Sequence, residues 1–249
     1  MKLDNGNARR VGVISDIHGN LEALEAVLTS FAEARVDRIF CCGDVVGYGA
    51  SPNECIELLR RREIPTVLGN HDAAVLNDDE LVFFNEMARD AALWTRGVLT
   101  EESRRWLSSL PMTISRYGSL FVHASPTDPA EWNYVLTYGE ARRAFKAIEE
   151  PLCFLGHSHQ PFFITLRFGE IDHIREDVMT LGENTSHLVN VGSVGQPRDR
   201  DPRASSVIWD LAQGTITLNR VEYDVARAQQ KIRMISGHAT LAERLARGE

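Results

Sequence analysis

The sequence predicts an α/β fold with a ligand site at the carboxyl ends of its strands, on two regularities. Short apolar runs without polar alternation interleave with segments of helical periodicity, and each run stops at an aspartate, an asparagine or a histidine. The clearest run is Ile39-Phe40-Cys41-Cys42, which ends at Gly43-Asp44 and leads into the loop Val45-Val46-Gly47-Tyr48-Gly49. Such a run, bounded by glycine, reads as a strand covered on both faces, and open α/β sheets bind ligands beyond strand ends of this kind. Asp44 placed there costs several kcal/mol to desolvate unless something positive compensates it. It is not needed as a helix cap, because Pro52 and Asn53 are better placed to start the next helix.

Composition sets the bounds. The 249 residues are 43% hydrophobic, and no Pro/Gly/Ser-rich linker divides them, so one domain is expected over residues 1–249. A net charge of -8 opposes sequence-independent binding to long nucleic acid, which needs clustered lysine and arginine. Met1 to Gly6 lacks an apolar secretion signal, and no stretch approaches the roughly 20 apolar residues that span a bilayer. The expectation is a soluble cytoplasmic protein with no membrane partner. Cys41, Cys42, Cys55 and Cys153 show no CxxC spacing, and three of them lie in apolar runs, which argues against a disulfide or a zinc finger.

In chain order, Val11 to Ser15 is the first strand and ends at Asp16-Ile17-His18-Gly19-Asn20. Residues two apart in an extended segment project to one side, so Asp16 and His18 are expected to converge from the pleat. Asn20 caps a helix marked by Leu21, Leu24, Leu28 and Phe31. After Asp44 come a helix from about Pro52 to Arg62 and a short strand, Pro65 to Leu68, ending at Gly69-Asn70-His71-Asp72. Residues 73–110 are mostly helical by pattern, with Phe83, Phe84, Leu93, Trp94 and Trp106 read as packing. A hairpin over Thr113 to Val122 turns at Gly118, and its second strand stops at His123. A helix from about Gly139 to Glu149 precedes the strand Leu152 to Leu155, which stops at Gly156-His157-Ser158-His159. Ser205 to Leu211 and Thr215 to Val221 form a hairpin around Gly214, and Asp224 caps a last helix with Val225, Ala228, Ile232 and Ile235 inward. One polar strand end is ordinary, whereas five in succession, each with residues that coordinate metal, are not.

Together Asp16-Ile17-His18, Gly43-Asp44, Gly69-Asn70-His71-Asp72, His123 and Gly156-His157-Ser158-His159 resemble the calcineurin-like metallophosphoesterases, over nearly two thirds of the chain. Asn190 to Arg198 is similar to their bacterial phosphodiesterase-like branch. The resemblance implies a four-layer αββα sandwich, two mixed β-sheets flanked by helices, with a dinuclear metal site at the carboxyl ends of the strands. It assigns Asp16, His18 and His159 to one divalent metal ion, Asn70, His123 and His157 to the other, and Asp44 to both. A water shared by the two ions would lose a proton and attack phosphorus in line, without a covalent intermediate. His71 would stabilise the transition state or protonate the leaving oxygen, with Asp72 orienting it. The nitrogen and oxygen donors suit Mn, Fe, Zn, Co or Ni without choosing among them, and Mn is the expected ion.

Phosphoprotein phosphatases of this superfamily carry arginines after Gly-Asp and a glutamate after Asn-His; here stand Val46-Gly47-Tyr48-Gly49 and Asp72. A small phosphodiester or a nucleotide is therefore the expected substrate, with Tyr48, Trp132, Tyr134 and Arg198 as candidates to touch it. Core packing competes for the aromatics, and salt bridging within Asp199-Arg200-Asp201 competes for Arg198. A metal-binding interaction module with weak catalysis is the alternative, opposed by the presence of every expected ligand type.

Overall fold

The structure is a computed structural model and describes residues 8–235 and 237–249. Met1 to Gly6, where a secretion signal is not expected, lies outside them. The chain runs β1 (Arg10–Ile14), α1 (Leu21–Glu33), β2 (Arg38–Cys41), α2 (Pro52–Arg61), α3 (Asn70–Ala74), α4 (Glu86–Val98) and α5 (Glu101–Ser108), with a 3-10 turn at Asp78–Phe83. It continues through β3 (Thr113–Arg116), β4 (Ser119–Val122), α6 (Tyr138–Ala147), β5 (Leu152–Leu155), β6 (Phe162–Arg167), β7 (Glu170–Ile174), β8 (Val178–Thr180) and β9 (Ser186–Asn190). It closes with β10 (Ala204–Asp210), β11 (Thr215–Val221), α7 (Val225–Arg233) and α8 (Ala239–Arg247).

Among the described residues these strands form two mixed sheets, a five-stranded one ordered β2-β1-β10-β11-β8 and a six-stranded one ordered β3-β4-β5-β9-β6-β7. Side-chain alternation builds four layers from them. Val11, Val13, Phe40, Phe121, Phe154, Val189, Val207 and Trp209 form the core between the sheets. Ile14, Cys41 and Ala204, one position out of phase, pack instead with Leu24, Val27, Leu28 and Phe31 of α1. On the far side Cys153, Leu155 and Leu188 meet Ala141, Ala144 and Phe145 of α6. The caps follow the sequence: Asn20 accepts from the Ala23 amide at 3.2 Å, and Thr137 and Glu140 exchange hydrogen bonds at the start of α6.

Three expectations need correction. Pro65 to Leu68 is no strand: Thr66 makes a single parallel bridge to Cys41, and the Leu68 amide turns away to the Pro111 carbonyl at 2.8 Å. Proline 65 has no N–H, so a ladder cannot continue back through it. Residues 162–190 carry no element in the sequence reading, yet β6 to β9 lie there; β7 is half-exposed and polar, which removes the apolar signal. The helix capped by Asp224 is not the last, since α8 follows it.

β1 and β2 run parallel, as do β4 and β5, so four strand ends point the same way. The loops are tied across these ends: Asp16 N–H donates to Gly43 O at 3.0 Å, His18 N–H to Asp44 O at 3.0 Å, and Gly156 N–H to His123 O at 2.9 Å. Phe154 sits in the inter-sheet core, its ring 5.2 Å from Phe121 and 5.6 Å from Trp209. Replacing it with alanine is expected to lower unfolding stability by about 3–5 kcal/mol. Urea denaturation measures this, and a midpoint equal to wild type would contradict the inter-sheet core as drawn.

Candidate metal centre

The seven candidate ligands meet between the sheets, and all are buried. Asp16 and His18 leave β1, Asp44 leaves β2, His123 leaves β4, and His157 and His159 leave β5; Asn70 opens α3. Their convergence does not come from a pleat. Asp16, His18, Asp44, His157 and His159 all have positive φ, between 49° and 64°, so the chain turns sharply at each ligand. A left-handed conformation costs a non-glycine residue about 1–2 kcal/mol, and such strain gathers where a site demands it. Gly69 and Gly156 have a related cause. A Cβ on Gly69 would collide with Asp44 Oδ1, and one on Gly156 with Asp16 Oδ2. The glycines before Asn70 and His157 are thus imposed by close approach of Asp44 at one and of Ser15 and Asp16 at the other.

Three imidazoles are locked by backbone carbonyls. His18 Nδ1 is 3.0 Å from Val46 O, His123 Nδ1 is 2.7 Å from Cys42 O, and His159 Nδ1 is 2.5 Å from Gln196 O. A carbonyl only accepts, so each Nδ1 carries a hydrogen, and Nε2 presents a lone pair whenever the ring is neutral. His18 Nε2 and His159 Nε2 nevertheless stand 3.1 Å apart. Asp16 Oδ1 lies 3.2 Å from His159 Nε2, and Asp44 Oδ2 lies 3.6 Å from His18 Nε2 and 3.4 Å from His123 Nε2. Asn70 Oδ1 is 3.0 Å from His123 Nε2. Facing lone pairs repel unless a proton or a cation lies between them. Asp16 Oδ1 and His157 Nε2 are buried with no hydrogen-bond partner. Orphaned donors of this kind, all nitrogen or oxygen, fit borderline divalent cations. The ligand atoms of Asp16, His18 and His159 lie within 4.8 Å of one another, as do those of Asp16, Asp44 and His123, and those of His18, Asp44 and His71.

The charges agree with that geometry. Burial alone would push the Asp16 and Asp44 carboxyls up, but the facing histidines, His159 and His123 foremost, hold both below the usual carboxylate range. Burial likewise opposes charge on His123, yet Asp44 outweighs it and raises His123 to about 9. Burial lowers His157 to about 3 and His71 to about 4.

The remaining candidates surround this cluster. His71 packs its ring 4.8 Å from His18, 4.6 Å from Tyr48 and 4.6 Å from Phe84, and its Nδ1 has no partner. Asp72 does not reach it. Its two oxygens accept from the Val46 amide at 3.0 Å and the Gly69 amide at 3.2 Å, and burial beside Asp44 pushes it up to about 7. Asp72 therefore ties the Asp44 loop to the start of α3. Tyr134 stacks on His157 at 4.0 Å, Trp132 stands edge-on to His123 at 5.9 Å and donates to Glu80, and Tyr48 lies between His18 and His71. Arg198 makes no salt bridge within its own segment: Asp199 pairs with Arg220, and Asp201 with Arg203. Its guanidinium bonds Tyr48 and Gln196 instead.

Two supporting residues escaped the sequence reading. Gln196 fixes His159 through its carbonyl, and Asn190 holds the His157 turn by donating to Gly156 O at 2.6 Å and Ser158 Oγ at 3.0 Å. Both fall inside the Asn190 to Arg198 stretch already singled out, but Gln196 acts on His159 through its backbone and Asn190 acts on a turn it is distant from in sequence, so spacing shows neither.

Comparison with known proteins follows the same outline. Residues 10–214 match the calcineurin-like phosphoesterase superfamily domain. An uncharacterized protein of Methanocaldococcus jannaschii is 42% identical over 234 residues, covering 89% of this chain and 91% of its own length. The metallophosphoesterase from Sphaerobacter thermophilus is 40% identical, with a TM-score of 0.84 over 98% of this chain and 100% of that one. A symmetrical bis(5'-nucleosyl)-tetraphosphatase of Baumannia cicadellinicola is 28% identical over 125 residues, 48% of this chain and 43% of its own. This chain belongs to the calcineurin-like phosphoesterase superfamily.

Proposed function

We propose that the protein is a metal-dependent phosphoesterase that hydrolyses small phosphodiesters or nucleotides in the cytoplasm. The observation that carries the proposal is the 3.1 Å approach of His18 Nε2 to His159 Nε2 beside the buried Asp16 and Asp44, an arrangement that needs a proton or a cation between the two nitrogens. Asp16, His18 and His159 are assigned to one ion, Asn70, His123 and His157 to the second, and Asp44 to both. Two divalent ions, Mn first and Fe, Zn, Co or Ni as alternatives, would supply Lewis acidity and an activated water when bound.

The chain's own residues supply the rest. His71, lowered to about 4, is neutral at pH 7 and offers an N–H to charge developing on the leaving oxygen. An arriving phosphate anion raises that pKa, so a larger fraction of His71 carries the second proton that it can pass to the leaving oxygen. The Tyr48 and Tyr134 rings, set against His71 and His157, are surfaces for a flat leaving group, and Arg198 offers charge to phosphate. The name of the tetraphosphatase relative supports a substrate containing nucleotide. Four buried, unpaired cysteines suit a reducing compartment.

Metal-stripped protein refilled with a single ion is expected to hydrolyse bis-p-nitrophenyl phosphate. In the same assay Asp44→Asn loses metal and turnover together, whereas His71→Ala keeps its metal and loses roughly 10²–10⁴-fold in kcat. Full turnover in either variant refutes the assignment.

Metal uptake also has a proton signature. His123 is raised to about 9, so the metal-free protein holds its proton at pH 7.5 and a cation must displace it. Affinity should therefore climb as pH rises toward 9 and then level. Calorimetry in buffers of different ionisation enthalpy should find about one proton released from this histidine on loading at pH 7.5. Zero release would place His123 outside the centre.

A further inference from the structure

Arg198 stands on the wall of the site, and α8 carries a second guanidinium, Arg244, in the layer that packs behind Tyr48. Arg198 follows the ligand His159 closely, its backbone N–H donating to the His159 carbonyl at 3.2 Å. Its Nη2 lies 3.3 Å from the Tyr48 hydroxyl and 2.9 Å from Gln196 Oε1, and its Cζ lies 5.6 Å from the Tyr48 ring centre. Its Nε is buried and has no acceptor. Helix α8 brings Arg244 to the same tyrosine. Leu241, Ala242 and Leu245 of α8 pack in one cluster with Tyr48 and Met87, and Arg244 Nη1 reaches Met87 Sδ at 3.8 Å. Arg244 Nε donates to the Glu249 carbonyl oxygen at 2.8 Å. Among the described residues neither arginine pairs with an aspartate or glutamate side chain. Both charges act on the Tyr48 hydroxyl, and burial together with Arg198 pulls the Arg244 pKa down. Two like charges held near one another and partly desolvated oppose folding, and an anion between them removes that cost.

We propose that Arg198, Arg244 and Tyr48 form a second anion subsite, which takes a phosphate beyond the one being hydrolysed. The substrate class is then a phosphoester with a neighbouring phosphate, as in nucleoside diphosphates and polyphosphates. This rests on the phosphoesterase reading above and narrows it. Tyr48 sets the place, since its ring is 4.6 Å from His71 and 4.8 Å from His18. Tyr48 and Arg198 lie within the superfamily match and Arg244 lies beyond residue 214, where it ends, so α8 adds one charge to a wall that the matched region begins.

The test compares AMP with ADP on metal-loaded protein at fixed free cation, by calorimetric binding and by inhibition of bis-p-nitrophenyl phosphate hydrolysis. Wild type is expected to bind ADP roughly tenfold or more tightly than AMP, the worth of one charge-assisted contact. Arg244→Gln brings the ratio close to one. Equal wild-type affinities, which need no variant, overturn the subsite, and so does a folded Arg244→Gln protein that keeps the ADP preference. Absence of turnover with a persisting calorimetric preference for ADP would instead remove the phosphoesterase reading and leave the subsite standing.

Discussion

A carboxylate buried where two sheets meet is the constraint on which the rest of this structure depends. Asp44 is 1% exposed, and in that setting an isolated charge would neutralise itself. It stays ionised because His123 and His18 present their Nε2 atoms at 3.4 and 3.6 Å and the His71 amide donates to Oδ1 at 2.8 Å. Asp16 is held in the same manner, with the His157 amide on Oδ2 at 3.0 Å. The first bond joins α3 to the end of β2 and the second joins the ends of β5 and β1, so the carboxylates also stitch these elements together. Each histidine that answers a carboxylate is in turn pinned by a carbonyl, which leaves the cluster no freedom to relax by ring rotation. Five ligand residues in left-handed conformation are the backbone cost of this closeness. The sandwich core of Phe121, Phe154, Trp209 and their neighbours is large enough to carry it.

Much of this was legible in the residues. Strands whose faces are both covered lose polar alternation, so β1, β2, β4 and β5 stand out as apolar runs and the ligands that end them stand out in contrast. The glycines of Gly69-Asn70-His71 and Gly156-His157 were visible as spacing, and their cause, Asp44 at one Cβ position and Ser15 with Asp16 at the other, needed the fold. The convergence of Asp16 with His18 was expected for the wrong reason: a strained turn, not a pleat, brings them together. Asp72 looked like the partner of His71 because it is adjacent in sequence, yet adjacency on a helix points side chains apart. β6 to β9 were illegible because a half-exposed, polar strand such as β7 resembles a loop. Gln196 and Asn190 act partly through backbone atoms or on them, and sequence is silent about such roles.

The surroundings of the cluster explain how one superfamily signature can serve a particular substrate. Six of the seven ligands follow strand ends and Asn70 opens α3, whereas Tyr48 on the wall is backed by α4, α7 and α8. Tyr48 joins the two: its backbone belongs to the Asp44 loop, and its ring is packed by Leu241, Ala242 and Leu245. Changes in the C-terminal helices can thereby alter what lies beside His71 without disturbing a ligand.

The central claim is that seven buried residues from both sheets close around two cations that share Asp44. An anomalous difference map from a crystal loaded with Mn tests it most directly. Two peaks are predicted, one among Asp16, His18 and His159 and one among Asn70, His123 and His157, each bonded to Asp44. A single peak, or two peaks of which one avoids Asp44, would contradict the account.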